Sequence, residues 1–143
     1  MRNQEVAFTL WFYYNQALPS SAETFIEMED SGTVNMQAAF SVSGTDIVLD
    51  FYQGTTTLTI PFSDIQNKWH FLGIYREGAV GGFQFDGVEK QSSGAFAVVV
   101  SPTFTLHIGA DNSGSNPFLG VMSRFSIYER ETANELTVSE FYI

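Results

Sequence analysis

The chain has 143 residues, 44% hydrophobic and 15% aromatic, which is one domain's worth of sequence with ample bulky material for a core. That excludes a two-domain arrangement and argues against disorder. Six Lys plus Arg stand against 16 Asp plus Glu, a net charge of −10, so nucleic acid and anionic membranes find no basic surface to bind.

No apolar run approaches the ~18 residues of a membrane span, and the first residues lack the basic-then-apolar pattern of a secretion leader, so a soluble chain without membrane insertion is expected. The absence of Cys excludes a disulfide framework and a thiol nucleophile. It leaves the compartment open.

Apolar residues recur at every second position along almost the whole chain, the period of half-buried strands. In residues 5–14, Phe8, Leu10, Phe12 and Tyr14 alternate with Ala7, Thr9, Trp11 and Tyr13, and Pro19, Ser20 and Ser21 then break the run. The same pattern marks strands at 25–28, 34–42, 47–52 and 57–62, with glycines 32, 44 and 54 between them. Residues 69–76 are apolar on both faces, which predicts a central strand covered on each side, with Trp69 sealing one end of the core.

Strands at 82–85 and 88–91 flank Asp86-Gly87, the dipeptide of a two-residue type I′ hairpin. Further strands are expected at 96–100, 104–108 and 121–128, with a turn-rich loop over 111–117 before the last. Thr132 followed by Glu135 suggests one capped helical turn at 132–136. Residues 138–143 are strand-like and expected to pair with 5–14, which would suit a module set within a longer chain. About a dozen short strands without a fixed repeat point to an all-β fold, two antiparallel sheets packed face to face as a β-sandwich of the jelly-roll kind.

Three segments carry a family resemblance: Phe8-Thr-Leu-Trp-Phe; Lys68-Trp-His-Phe-Leu-Gly-Ile-Tyr-Arg76 with Phe83-Gln-Phe-Asp86-Gly87; and Leu106-His-Ile-Gly109 with Pro117-Phe-Leu-Gly120 and Ile127-Tyr-Glu-Arg130. In this order they resemble the laminin G-like domains of the concanavalin A-like sandwich, over nearly the whole chain. The resemblance implies one domain spanning residues 1–143 and a binding function in loops at the sandwich rim, in an extracellular or surface-exposed setting. Many animal members carry a disulfide near the C-terminus that a Cys-free chain lacks, which suits a microbial, viral or protist-type relative. Phe118 reads as an aromatic plug and Gly120 as a residue whose missing side chain lets the returning strand pass close to the opposite sheet.

Two sets of residues are candidates for chemistry. Glu27 and Glu29 share a strand face with Asp30 following, and paired carboxylates are what glycoside hydrolysis needs. The acidic strand of laminarinase-type enzymes is matched only in shortened form, however, and 143 residues leave little chain for the walls of a cleft. A solvated strand face and no enzymatic activity are therefore expected. By resemblance, Asp46 in Gly44-Thr-Asp46 occupies the segment where calcium-binding laminin G-like domains place a ligand. Asp111, with Asn112 and Asn116 as ligand-binding candidates, forms a second oxygen-rich loop that turn chemistry would equally explain. His70 and His107 have no evident partner and read as packing or surface residues. Without Cys or a His-Glu-x-x-His pattern, zinc has no ligand set.

The expected function is a non-catalytic recognition module that binds glycan or protein through rim loops, with calcium as an auxiliary ligand. Tyr13, Tyr14, Tyr52 and Tyr75 are candidate sugar stackers, each equally a half-buried strand residue. The alternative is a structural or assembly domain of an extracellular fibre, adhesin or surface structure, packing on neighbouring domains or copies.

Overall fold

In the computed structural model the described residues are 5–30, 32–51, 56–77, 80–92, 105–131 and 135–140. They form eleven strands and one helical turn. The strands are β1 (Glu5–Tyr13), β2 (Glu23–Asp30), β3 (Thr33–Ser43), β4 (Asp46–Phe51), β5 (Thr56–Pro61), β6 (Trp69–Glu77), β7 (Val80–Phe85), β8 (Val88–Ser92), β9 (Thr105–Ile108), β10 (Val121–Glu131) and β11 (Glu135–Glu140), with α1 (Phe62–Ile65) between β5 and β6.

They make two antiparallel sheets, a six-stranded one in the order β11-β10-β1-β6-β7-β8 and a five-stranded one in the order β5-β4-β3-β2-β9. This is the expected all-β sandwich. Its core follows from strand parity. Phe8, Leu10 and Phe12 of β1 are buried and lie opposite Ile74, Leu72 and His70 of β6. From the other sheet come Phe25, Ile26, Phe40, Leu49 and Phe51, also buried. Phe118 plugs the space between them, with ring centroids 4.7 Å from Phe25 and 5.9 Å from Phe12. Each such ring contributes roughly 1.5–3 kcal/mol when withdrawn from water.

Parity also overturns the expected role of Trp69. With His70, Leu72 and Ile74 facing inward, Trp69 and Phe71 face outward, and Trp69 is 50% exposed. Turning Trp69 inward would slip the strand by one residue and expel two aliphatic side chains from the core. His70 takes the inward place because both ring nitrogens meet oxygen, Nδ1 at 2.7 Å from Asp86 Oδ2 and Nε2 at 3.0 Å from the Ile65 carbonyl. It therefore has the partners that sequence reading did not find.

The Asp86-Gly87 turn forms as expected, with φ of 45° and 88°, the positive pair a type I′ turn requires. Asp86 does more than turn the chain, since its Oδ1 accepts the Phe71 N–H at 2.8 Å. Three other expectations change. The N-terminal strand pairs with β10 and β6, while β11 pairs with β10, so the two terminal strands flank β10 rather than each other. Glu135 and Leu136 are extended in β11, not helical. Phe62, expected to end a strand, opens α1 instead, because the preceding Pro61 sits where a helix can begin. The expected strand at 96–100, Tyr52 and residues 132–134 and 141–143 lie outside the described residues.

At Gly120 the chain does pass close to backbone, but to β1 of its own sheet rather than to the opposite sheet. A Cβ there would lie 2.6 Å from the Tyr13 carbonyl oxygen and 2.6 Å from the Phe118 ring, the first being backbone that cannot yield. Gly120→Ala should destabilise the domain by about 1–3 kcal/mol, read as a lowered Tm, whereas Gly114→Ala, with open space around it, should lose only the cost of its positive φ.

Candidate functional site: a clipped loop at one end of the sandwich

The connections after β1, between β3 and β4, through α1, between β7 and β8 and between β9 and β10 gather at one end of the sandwich. Backbone bonds tie them there, including Asn67 N–H to the Tyr14 carbonyl at 2.8 Å, Phe62 N–H to Thr45 at 3.3 Å and Thr24 N–H to Asn116 at 2.8 Å. The loop at residues 109–120 is the longest described one at this rim, and two carboxylates of β2 hold it.

Glu23 and Glu27 are four residues apart, a spacing that in a regular strand puts both on one face. A bulge prevents this. Phe25 is an extra residue between Thr24, opposite Ala39, and Ile26, opposite Ala38, so the strand changes parity and both Phe25 and Ile26 enter the core. Glu23 consequently lies at the mouth between the sheets. Its Oε1 accepts the Tyr14 hydroxyl at 2.6 Å and its Oε2 the Leu119 N–H at 2.9 Å.

Glu27 is on the outer face of the five-stranded sheet, where Oε1 accepts the Asn112 N–H at 2.9 Å and Oε2 the Gln37 Nε2–H at 2.5 Å. One end of the loop is thus fastened outside the sheet and the other inside it. The loop straddles the start of β2, with Gly109 N–H on the Phe25 carbonyl and Phe118 N–H on that of Gly109, each 2.8 Å. Both carboxylates are almost completely buried, 2% exposed at Glu23 and 1% at Glu27. The expectation of a solvated strand face is therefore wrong for Glu27, because the loop folds over it.

Within the loop Asp111 closes a compact turn. Its Oδ1 accepts Ser113 N–H at 3.1 Å, Ser113 Oγ–H at 2.7 Å and Ser115 N–H at 2.8 Å, and its Oδ2 accepts Asn116 Nδ2–H at 2.9 Å. Slight burial raises the carboxyl's pKa, but the donors of Ser113, Asn116 and Ser115 outweigh it and hold the group below the ordinary carboxylate range. At Tyr14, burial first, then the hydrogen bond to Glu23 and its negative charge, raise the phenol well above its usual value. Asn112 and Asn116 are exposed, and Asn116 adopts a positive φ of 49°.

Asp46 lies at the same rim, opposite Ser43 and Pro61. It is two strands from β2, over which Asp111 and Asn112 sit, so on the order of 10 Å separates the two regions. Among the described residues, no group of three or more His, Asp or Glu converges as a metal set. Glu29 shares the outer face with Glu27, and its Oε1 is 3.6 Å from His107 Nε2, too far for a hydrogen bond. Of the candidate stackers, Tyr14 is buried in the core, Tyr13 and Tyr75 are half-buried on the outer face of the six-stranded sheet, and Tyr52 is outside the described residues.

Glu23 and Trp11 were not singled out from sequence. For Glu23 the available signal was a carboxylate amid the apolar run Phe25, Ile26 and Met28. For Trp11 it was the outward parity it shares with Tyr13.

Comparison with known proteins places this geometry in a family. The model of the concanavalin A-like lectin/glucanases superfamily, in its laminin G-like form, matches residues 1–136. The chain belongs to that family. Domain 4 of AbnA, a GH43 extracellular arabinanase from Geobacillus stearothermophilus, solved in complex with arabinotriose, is similar in fold, with a TM-score of 0.60 and 21% identity over 91% of this chain. This chain spans 62% of that neighbour's length. No curated protein sequence matches. Among the described residues, no helix is long and apolar enough to cross a membrane.

Two outcomes follow from the clip. Glu27→Ala strands the Asn112 N–H and the Gln37 amide and should lower stability by about 3 kcal/mol in equilibrium urea unfolding. The Ser113 and Ser115 amide resonances should titrate with Asp111 at a midpoint below the ~3.9 of a free Asp. Because its folded pKa is depressed, the stability Asp111 adds is complete above the unfolded pKa and disappears as the pH falls through the folded one.

Proposed function

We propose that this domain is a non-catalytic recognition module that binds glycan through its rim, in an extracellular or surface-exposed setting. The observation that carries the reading is the 109–120 loop, fastened by two buried carboxylates and presenting Asn112, Ser113, Ser115 and Asn116 to solvent. Amides and hydroxyls held on a rigid loop can exchange hydrogen bonds with sugar hydroxyls without first losing loop entropy. The fold neighbour's complex with arabinotriose supports glycan as the ligand class.

The non-catalytic part rests on Glu27. A general acid or nucleophile must reach the glycosidic oxygen or anomeric carbon, whereas both Glu27 oxygens are engaged and roofed by the loop. Calcium would act through Asp46 or Asp111. At Asp111 it would compete with four donors already in place.

The test is calorimetric titration of the domain with arabinotriose and other neutral oligosaccharides, with and without millimolar calcium. Saturable binding is expected. Asn112→Ala, which keeps the backbone clip but removes the side-chain amide, should weaken it about fivefold, one hydrogen bond's worth. Absence of binding across the panel, or release of reducing sugar, would contradict the reading.

A further inference from the structure

The outer face of the six-stranded sheet carries a group of aromatic side chains that the fold does not need. Tyr13 lies opposite Trp69 and Trp11 opposite Phe71 across the β1–β6 ladder. The first pair has ring centroids 5.5 Å apart at 44°, the second 5.6 Å at 65°. Successive outward residues on a strand are roughly 7 Å apart, so the four rings form two adjoining rows. Trp69 is 50% and Trp11 39% exposed. Neither tryptophan contributes to the core, and two indoles left in water on one sheet face call for a ligand.

The surroundings define its chemistry. β10 has a bulge at Arg124, where φ is 52°, set against the register shift between Thr9 and Trp11. The extra residue restores outward parity, so that Ser123 stands opposite Trp11 and Ser126 opposite Thr9. On the other side the Phe71 ring leans over Gly73, which lies between Thr9 and Gln84. Aromatic rows thus adjoin a row of hydroxyl and amide groups. Among the described side chains at this face, charge is carried by Glu89, whose Oε1 accepts the Tyr75 hydroxyl at 3.0 Å, and by the exposed Arg124 at the bulge.

The geometry points to a second element of the glycan site: Trp69 and Trp11 form a stacking platform for a neutral oligosaccharide chain. The inference rests on the glycan reading above and extends it from the rim onto the sheet. A sugar ring presents an apolar C–H face to an indole and hydroxyls at its edge, which matches aromatic rows bordered by Ser123, Ser126 and Gln84. The core of a protein interface is more continuously apolar, and a second copy would bring another net −10 toward the first. The same charge disfavours polyanionic glycans.

The test uses the intact chain and tryptophan fluorescence, with neutral arabino-, xylo- and gluco-oligosaccharides and an oligogalacturonate as the anionic probe. Trp69→Ala, Trp69→Phe and Asn112→Ala are compared after confirming an unchanged Tm. The platform predicts quenching or a blue shift with a neutral chain and about tenfold weaker binding by Trp69→Ala. Trp69→Phe should retain most of the affinity, and oligogalacturonate should produce no response. Neutral-glycan binding that Asn112→Ala weakens and Trp69→Ala leaves unchanged would overturn the platform alone. Equal binding of oligogalacturonate would overturn its neutral specificity. Failure of every glycan to bind would overturn both readings, as would wild-type self-association abolished by Trp69→Ala without any glycan response.

Discussion

The bulge at Phe25 is the constraint from which the rest of this rim follows. By inserting one residue into β2 it sends Glu23 and Glu27 to opposite sides of the same strand, and each captures one backbone N–H of the loop that returns from β9 to β10. A buried carboxylate is costly unless its oxygens are satisfied, and here every one of the four oxygens has a donor. The satisfaction is mutual. Without the loop the glutamates would lose backbone donors, and without the glutamates the loop would lose its fastening. Phe118, between the two anchors, then enters the aromatic core, so loop geometry and core packing are coupled.

The same economy links pieces of sequence that look unrelated. His70, beside Trp69, and Asp86, in the hairpin turn, meet at 2.7 Å, and Asp86 also holds the Phe71 N–H. The hairpin is thereby locked to the start of β6. Gly120 completes the pattern by letting the chain pass the Tyr13 carbonyl on its way into β10. Trp69-His70, Asp86-Gly87, Gly109 and Phe118 to Gly120, separate in the sequence, meet at one rim, whereas Ile127 and Arg130 pair with Phe8 and Glu5 toward the other end of the sheet.

Much of the fold was legible because alternation is a direct consequence of strand geometry. Asp86-Gly87 announced its turn and Phe118 a plug, while Gly120 announced a close approach but not that its partner is β1 of the same sheet. What alternation cannot reveal is which face turns inward when both are apolar. Trp11 and Phe12, or Trp69 and His70, are separated only by the register of a neighbour and by a distant Asp that makes a buried histidine acceptable. Bulges were hidden for the same reason, since an extra residue changes parity without changing composition. Hence Glu27 read as solvated and Glu23 passed unremarked, although the loop residues Asp111, Asn112 and Asn116 were visible as a polar cluster. Asp46 was visible too, but its separation from Asp111 is a matter of strand order, which needs the fold.

The most direct measurement is amide hydrogen exchange on the unmodified domain. If buried carboxylates fasten the loop, the Asn112 and Leu119 amides exchange nearly as slowly as the core amides of β2, while the exposed Gly114 exchanges faster. Exchange of Asn112 and Leu119 at the rate of an open loop would contradict the account.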